Sequence, residues 1–228
     1  MSGIHQTRQG FHVTSEGGFL PALAHDRLTP FYDPSVRLTT REYKFKRLLI
    51  AQAKLERSHK VLDLGCGTGT LSLLIKKACP DIDLTGCDAD PAVLAKAESK
   101  ARAKGVDLRF DHAFSDSLPY EPETFDRVFS TLMFHHLEPI GKLVTIGEIK
   151  RVLKPGGEFH LADFGYPSGW VQSQLSKIVT LIDGERTTAS NFRGELKNLI
   201  KESGFSEVER TGRVKTMLGT IRLFRAVK

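Results

Sequence analysis

A chain of 228 residues, 40% hydrophobic and 26% charged, suits one medium α/β domain and does not require two cores. No apolar run approaches the ~20 residues that cross a bilayer, and the polar stretch Met1 to Gly10 lacks the apolar centre of a secretory signal, so a cytoplasmic location is expected. The net charge of +6 is modest and is spread along the chain, which argues against a nucleic-acid partner and fits solvated helix faces.

Residues 1–59 precede the first strand pattern and are expected to form a helical cap. Lys60 to Leu64 (KVLDL) reads as a buried strand, followed by a helix from about Thr68 to Ala78. The next pair is a strand at Ile82 to Cys87 and a helix at Pro91 to Lys104, with Asp90 as N-cap and Pro91 at the first helical position. Val106 to Asp111 and Phe125 to Ser130 are the third and fourth strands. Ile140 to Leu153 reads as a helix, stopped by Lys154-Pro155-Gly156-Gly157, and Glu158 to Asp163 as the fifth strand. Helices are expected at Trp170 to Ile182 and Phe192 to Ser203, then two strands of a hairpin around Gly219 within Val208 to Val227.

Strands alternating with helices imply an α/β fold: a doubly wound, mostly parallel, Rossmann-like sheet with helices on both faces and a C-terminal antiparallel hairpin. Residues 60–228 then form one compact domain with the cap, and a segment at about 164–205 covers the substrate. Ligands of such sheets sit at the carboxyl ends of the strands, where strand order reverses. The cysteines Cys66, Cys79 and Cys87 form no CxxC pair, suit neither zinc nor a disulfide framework, and are expected as packed thiols.

After the first strand comes Asp63-Leu64-Gly65-Cys66-Gly67-Thr68-Gly69. Its glycines let the backbone turn sharply and approach a ligand, with a helix N-terminus aimed at it. The third glycine departs from the G-x-G-x-x-G dinucleotide spacing. Asp63 would repel a pyrophosphate, whereas it would favour a ligand that carries an ammonium and a sulfonium. The pattern therefore points to S-adenosylmethionine rather than NAD; the plain alternative is that Asp63 caps the turn. Asp88, about twenty residues on, stands where a carboxylate accepts hydrogen bonds from ribose hydroxyls.

Together the segment VLDLGCGTGTLS, Asp88, the run SLPYEPETFDRVFS, the pair His135-His136 and the turn RVLKPGG resemble class I S-adenosylmethionine-dependent methyltransferases. The nearest group is the small-molecule type similar to ubiquinone/menaquinone-biosynthesis methyltransferases, matched in order from about Val61 to Gly165. The resemblance implies that Asp63 and the backbone of Gly65 and Gly67 hold the methionine part, and that Gly69 permits close helix packing. It places Asp88 on the ribose and Ala89 against adenine. The family often has Asp-Ala a few residues ahead of the Leu-Pro pair, here Leu118-Pro119; this chain has Phe114-Ser115 instead. Phe114 is then expected to cover the ring face, with the Ser115 N–H on a ring nitrogen and Asp116 reaching the amino group. The backbone of Ser130 and Thr131 would border the methionine end, unless Leu132, Met133 and Phe134 simply seal the sheet edge. Phe31-Tyr32-Asp33-Pro34 resembles the element such enzymes fold over the cofactor, with Tyr32 closing it, although an ordinary turn explains the same letters. Arg41 stands either against the methionine carboxylate or at the surface.

The activity implied is transfer of a methyl group to oxygen, nitrogen or carbon of a small-molecule acceptor. Displacement at a carbon on a cationic sulfur needs alignment and exclusion of water, and a base only if the acceptor must lose a proton. His135 is the first candidate base and His136 the second; each is alternatively a structural histidine in the loop. A metal on this pair is not expected, because adjacent side chains should diverge and no carboxylate spacing completes a site. Asp163, Phe164 and Tyr166 follow the fifth strand and either line the acceptor cavity or stabilise the fold. The same fold leaves open a reaction other than methyl transfer and a non-catalytic partner subunit. The place after the fourth strand lacks the aromatic-proline signature of nucleic-acid methyltransferases.

Overall fold

The computed structural model describes residues 41–165, 195–217 and 219–228. Seven strands, β1 (Lys60–Leu64), β2 (Asp83–Asp88), β3 (Arg109–His112), β4 (Phe125–Thr131), β5 (Leu153–Gly165), β6 (Glu207–Lys215) and β7 (Thr220–Val227), form one sheet. Its order is β3-β2-β1-β4-β5-β7-β6. The first five strands pair in parallel, and β7 runs antiparallel between β5 and β6. The expected doubly wound sheet with its terminal hairpin is therefore the observed one. Strand order reverses between β1 and β4, where two outgoing connections part and leave a crevice at the carboxyl ends.

Five helices are described: α1 (Glu42–Gln52), α2 (Thr70–Ala78), α3 (Pro91–Ala103), α4 (Pro139–Val152) and α5 (Leu196–Glu202). One core joins Phe45 and Leu49 of α1 and Ile75 of α2 to Val61, Phe129 and Ile221 of the sheet. The other joins Ile146 and Ile149 of α4 and Ile200 of α5 to Val128, Phe159 and Phe224. Helices thus cover both faces, which is why β1 is buried from Val61 to Leu64 and reads as an unbroken inward strand. Gln52 ties α1 to the far strands, donating to the Phe224 carbonyl at 3.1 Å and accepting from the Thr211 hydroxyl at 2.5 Å.

Several boundaries move for local reasons. Helix α2 begins at Thr70 rather than Thr68, because Gly69 before it adopts φ 73°. Strand β3 begins at Arg109 rather than Val106, because the Val106 N–H returns to the Ala101 carbonyl and closes α3 through Gly105 (φ 62°). Lys154-Pro155-Gly156-Gly157 does stop α4, yet the chain is already extended there, with Leu153 paired to Phe125. Asp90 caps α3 as expected, accepting from the Ala92 N–H at 2.8 Å. Most of the expected cap, including Tyr32, lies outside the described residues, as do Tyr166 and the helix expected at Trp170 to Ile182. Among the described residues, no helix is long and apolar enough to cross a membrane.

Candidate active site

The exit of β1 carries a buried acid. Asp63 is fully buried. Ser72, on the first turn of α2, donates its hydroxyl to Oδ2 at 2.5 Å, while Oδ1 is buried without a hydrogen-bond partner. Burial pushes the carboxyl up from 3.8 to about 6, despite the Ser72 hydrogen bond and the charge of Lys46. The following turn is built on Gly65 (φ 68°) and Gly67 (φ 54°), a conformation costly to other residues. The N–H groups of Gly65 and Cys66 both donate to the Cys87 carbonyl, at 2.8 and 3.0 Å, which laces the turn to β2. A Cβ on Gly65 would stand 2.6 Å from Met133 Cγ, whereas one on Gly67 would meet nothing within 4 Å. Gly67 therefore opens onto empty space. Gly69 allows close helix approach, since its Cβ would lie 3.0 Å from the Ala97 Cβ of α3.

The exit of β2 is prepared differently. Asp88 accepts the Gly67 N–H at 2.8 Å on Oδ2 and the Asp90 N–H at 3.0 Å on Oδ1. Burial raises its carboxyl, and those two backbone hydrogen bonds work against the rise. Each oxygen keeps a further lone pair, so Asp88 is held in one orientation with acceptor capacity left over. The Gly67 N–H is thus engaged by Asp88, which ties the turn after β1 to the exit of β2. The loop after β3 is brought alongside by the Ala113 N–H, which donates to the Asp88 carbonyl at 3.1 Å. Phe114 there is 49% exposed. His112 lies edge-on to it and contacts the Ala89 carbonyl at 3.0 Å. The Ser115 hydroxyl bonds Thr145 of α4 at 2.9 Å, and Asp116 is exposed beside it.

Strands β4 and β5 end in a single buried knot. Ser130 is fully buried with its hydroxyl unpartnered, next to Leu64 in register, and Thr131 pairs with Ala162. Leu132 takes φ 53°, strained for a residue with a side chain. The chain then enters a short 3-10 turn at Phe134–His136. Asp163, also fully buried, accepts the Phe134 N–H at 2.8 Å, the Phe164 N–H at 2.7 Å and His135 Nδ1 at 2.8 Å. Burial alone would raise this carboxyl, but the charge and hydrogen bond of His135 and the Phe164 N–H hold it below its ordinary value. His135 is 4% exposed with Phe164 edge-on to its ring, and Asp163 faces its Nδ1. The two histidines do not diverge as expected. Their rings lie 4.0 Å apart at the 3-10 turn. The charge of His135 lowers His136, which is itself exposed. Among the described residues, no group of three ligands could hold a metal ion.

Comparison with known proteins fits this geometry. Residues 61–157 match the family model described as a methyltransferase domain. The demethylmenaquinone methyltransferase of Thermus thermophilus is 33% identical over 142 residues, 61% of this chain and 64% of that protein, so this chain spans less than two thirds of that relative. The ubiquinone/menaquinone biosynthesis C-methyltransferase of Syntrophotalea carbinolica is 27% identical over 219 residues, 86% of this chain and 92% of that one. The solved structure of the YcgJ protein of Bacillus subtilis shares the fold, with a TM-score of 0.69 at 19% identity over 82% of this chain and 98% of that chain. The chain thus resembles class I methyltransferases and carries a methyltransferase-domain match over residues 61–157.

In this chain the site rests on a clamp that residue-by-residue reading missed. Arg151 donates to the carbonyls of Tyr120 and Leu118 at 2.7 and 2.9 Å, and Glu148 accepts the Leu118 N–H at 2.9 Å. The two side chains, three apart on α4, bond each other and pin the Leu118-Pro119-Tyr120 segment to the helix. Ser72 was likewise missed as the hydroxyl that steadies Asp63; it was visible only as the last letter of VLDLGCGTGTLS. The cysteines are free, and burial pushes the Cys87 thiol up to about 12. Arg41 is exposed at the start of α1.

Proposed function

We propose that this chain is a cytoplasmic methyltransferase that binds S-adenosylmethionine across the ends of β1 and β2 and transfers its methyl group to a small-molecule acceptor. The observations that carry the reading are the buried, unpartnered Oδ1 of Asp63 on β1 and the open space at Gly67 in the turn that follows the strand. An uncompensated buried carboxylate oxygen is costly. A cationic ligand at that place offsets the cost, and a pyrophosphate would deepen it. When bound, the cofactor supplies a methyl group on a positively charged sulfur that departs neutral.

The chain's own residues then have separable tasks. Asp63 faces the positive methionine end, with the bare turn of Gly65 and Gly67 giving it room and Ser130 and Thr131 closing the other side. Asp88, fixed by two N–H groups, offers its remaining lone pairs to the ribose hydroxyls. Ala89 and Phe114 stand on adjacent exits for the adenine ring, with the Ser115 backbone and Asp116 at its polar edge. His135 accepts the acceptor's proton at Nε2 while Asp163 holds its Nδ1–H; His136, in contact with it, is the second candidate. The substrate cover at about 164–205 completes the site in this reading.

Titration calorimetry with S-adenosylmethionine and S-adenosylhomocysteine tests the binding, and methyl-labelled cofactor tests the reaction. Heat with both ligands and label recovered in an acceptor are the expected results. No heat from folded protein overturns the reading. Product that forms while the cofactor keeps its label points to another reaction on the same fold.

A further inference from the structure

Positive charge that is spread along the sequence gathers in space on the outer side of α2. A trough of about 1000 Å³ lies there, bounded by the first turns of α1, by α2, and by the end of α3 with the turn that follows it. Leu71 and Ile75 of α2 point into the core against the sheet. The 3.6-residue period then turns Leu73 to the opposite side, with Leu74 at its flank. Both are half-buried, line the trough together with Val106, and join neither core. They form an apolar strip that the fold itself leaves unsealed.

The charge around this strip is one-sided. Arg47, Lys76, Lys77, Lys100 and Lys104 line the trough against Glu42 and Asp107, an excess that is half of the chain's net +6. Glu42 is already bound to Lys46 of its own helix at 2.5 Å. Lys76 serves the fold, because its ammonium donates to the carbonyls of Pro80 and Ile82 at 3.3 and 2.7 Å and ties down the turn after α2. Lys100 reaches the Thr68 hydroxyl at 2.7 Å. Arg47, Lys77 and Lys104 have no such task. All three are exposed, and among the described residues none of them has an acidic partner.

We propose that the trough is a second binding site, separate from the crevice at the strand ends, for an amphipathic anion: a single molecule with a phosphate or carboxylate head and an apolar body. The body covers Leu73, Leu74 and Val106, and the head meets Arg47, Lys77 and Lys104. The volume stands at the upper end of small-molecule sites. Concavity selects one molecule over a bilayer, whose surface is flat on this scale and does not reach a recessed strip.

The test is calorimetry on the full chain with dodecyl phosphate and dodecanoate, both below their micelle-forming concentrations, with methyl resonances of Leu73, Leu74 and Val106 locating the probe. The expected result is saturable binding of at least one, with shifts at those methyl groups; the tighter probe identifies the head. Hexyl phosphate should bind about tenfold more weakly, or worse, because its body is shorter. Lys77→Glu combined with Lys104→Glu should weaken dodecyl phosphate by about tenfold or more. Both positions are exposed, and an unchanged unfolding midpoint shows that the variant folds. Lys197→Glu, on α5 over the other core, leaves binding unchanged. Absence of saturable binding for both anions overturns the site, as does equal binding of dodecyltrimethylammonium or insensitivity to the double variant. Binding to phosphatidylglycerol vesicles without binding of the monomeric probes replaces it with a membrane surface. Displacement of dodecyl phosphate by S-adenosylhomocysteine would put the probe in the crevice and remove the second site, whereas simultaneous binding of both supports it.

Discussion

Asp63 and Asp163 are both fully buried carboxylates at the carboxyl end of the same sheet, yet the protein treats them in opposite ways. Asp163 is surrounded by donors from Phe134, His135 and Phe164, all within 2.8 Å. Asp63 has the Ser72 hydroxyl and one oxygen with nothing. Burial pushes both carboxyls up; at Asp163 the charge and hydrogen bonds of its neighbours reverse the push, and at Asp63 burial prevails and leaves it at about 6. Equal burial with unequal donors separates a carboxylate the fold completes by itself from one that needs something from outside.

The largest effect is expected where the fold is self-sufficient. Asp163→Ala leaves the buried Phe134 and Phe164 N–H groups and the His135 ring without their acceptor. Denaturant unfolding should show a loss of about 3–5 kcal/mol; a loss below 1 kcal/mol would break the contrast at its firm end. Asp63→Asn should behave oppositely. Its removal of an uncompensated buried charge stabilises the ligand-free protein at neutral pH by on the order of 1–2 kcal/mol. The same change costs roughly 2–3 kcal/mol of cofactor affinity, so unfolding and calorimetry move in opposite directions. A variant that loses both together makes Asp63 an ordinary structural acid. Asp88→Ala comes next, with cofactor binding weakened by roughly 1–3 kcal/mol through lost charge-assisted hydrogen bonds. Unchanged affinity there removes the ribose from β2.

The same contrast explains what the sequence makes legible. Asp63, Gly65 and Gly67 belong to one strand-turn-helix passage, and each follows from local geometry, as does the Asp90 cap of α3. Asp163 and His135 lie 28 residues apart and meet only because β4 and β5 pair with Thr131 beside Ala162. No local pattern announces that register, so Asp163 reads equally well as cavity lining or as fold support. The pairing of Arg213 with Arg222 is hidden for the same reason, with a bulge besides. The histidine rings meet through a 3-10 turn that leaves no mark in the sequence. The alternation of strands and helices survives all this, because it depends on the repeating burial of short apolar runs; its boundaries move where Gly69 and Gly105 take left-handed backbone.

The smallest expected effect follows from the sign of the Asp63 shift. In the unfolded chain its carboxyl ionises near ~3.9, and in the folded, ligand-free protein at about 6. The folded state therefore holds the proton more tightly. The stability this provides is complete below the unfolded value and is lost as pH rises through the folded one. A cationic ligand favours the ionised form, so binding at about pH 5 must expel a proton that is already gone at about pH 7. Affinity for S-adenosylmethionine should rise about tenfold across that interval and then level off. Asp163 runs the other way: its stabilisation is present at neutral pH and fades as pH falls through its lowered value. The control is Asp63→Asn, whose residual affinity should lose this rise. A flat wild-type profile from pH 5 to 7 would mean that the cation is met by some group other than the carboxylate the fold leaves unfinished.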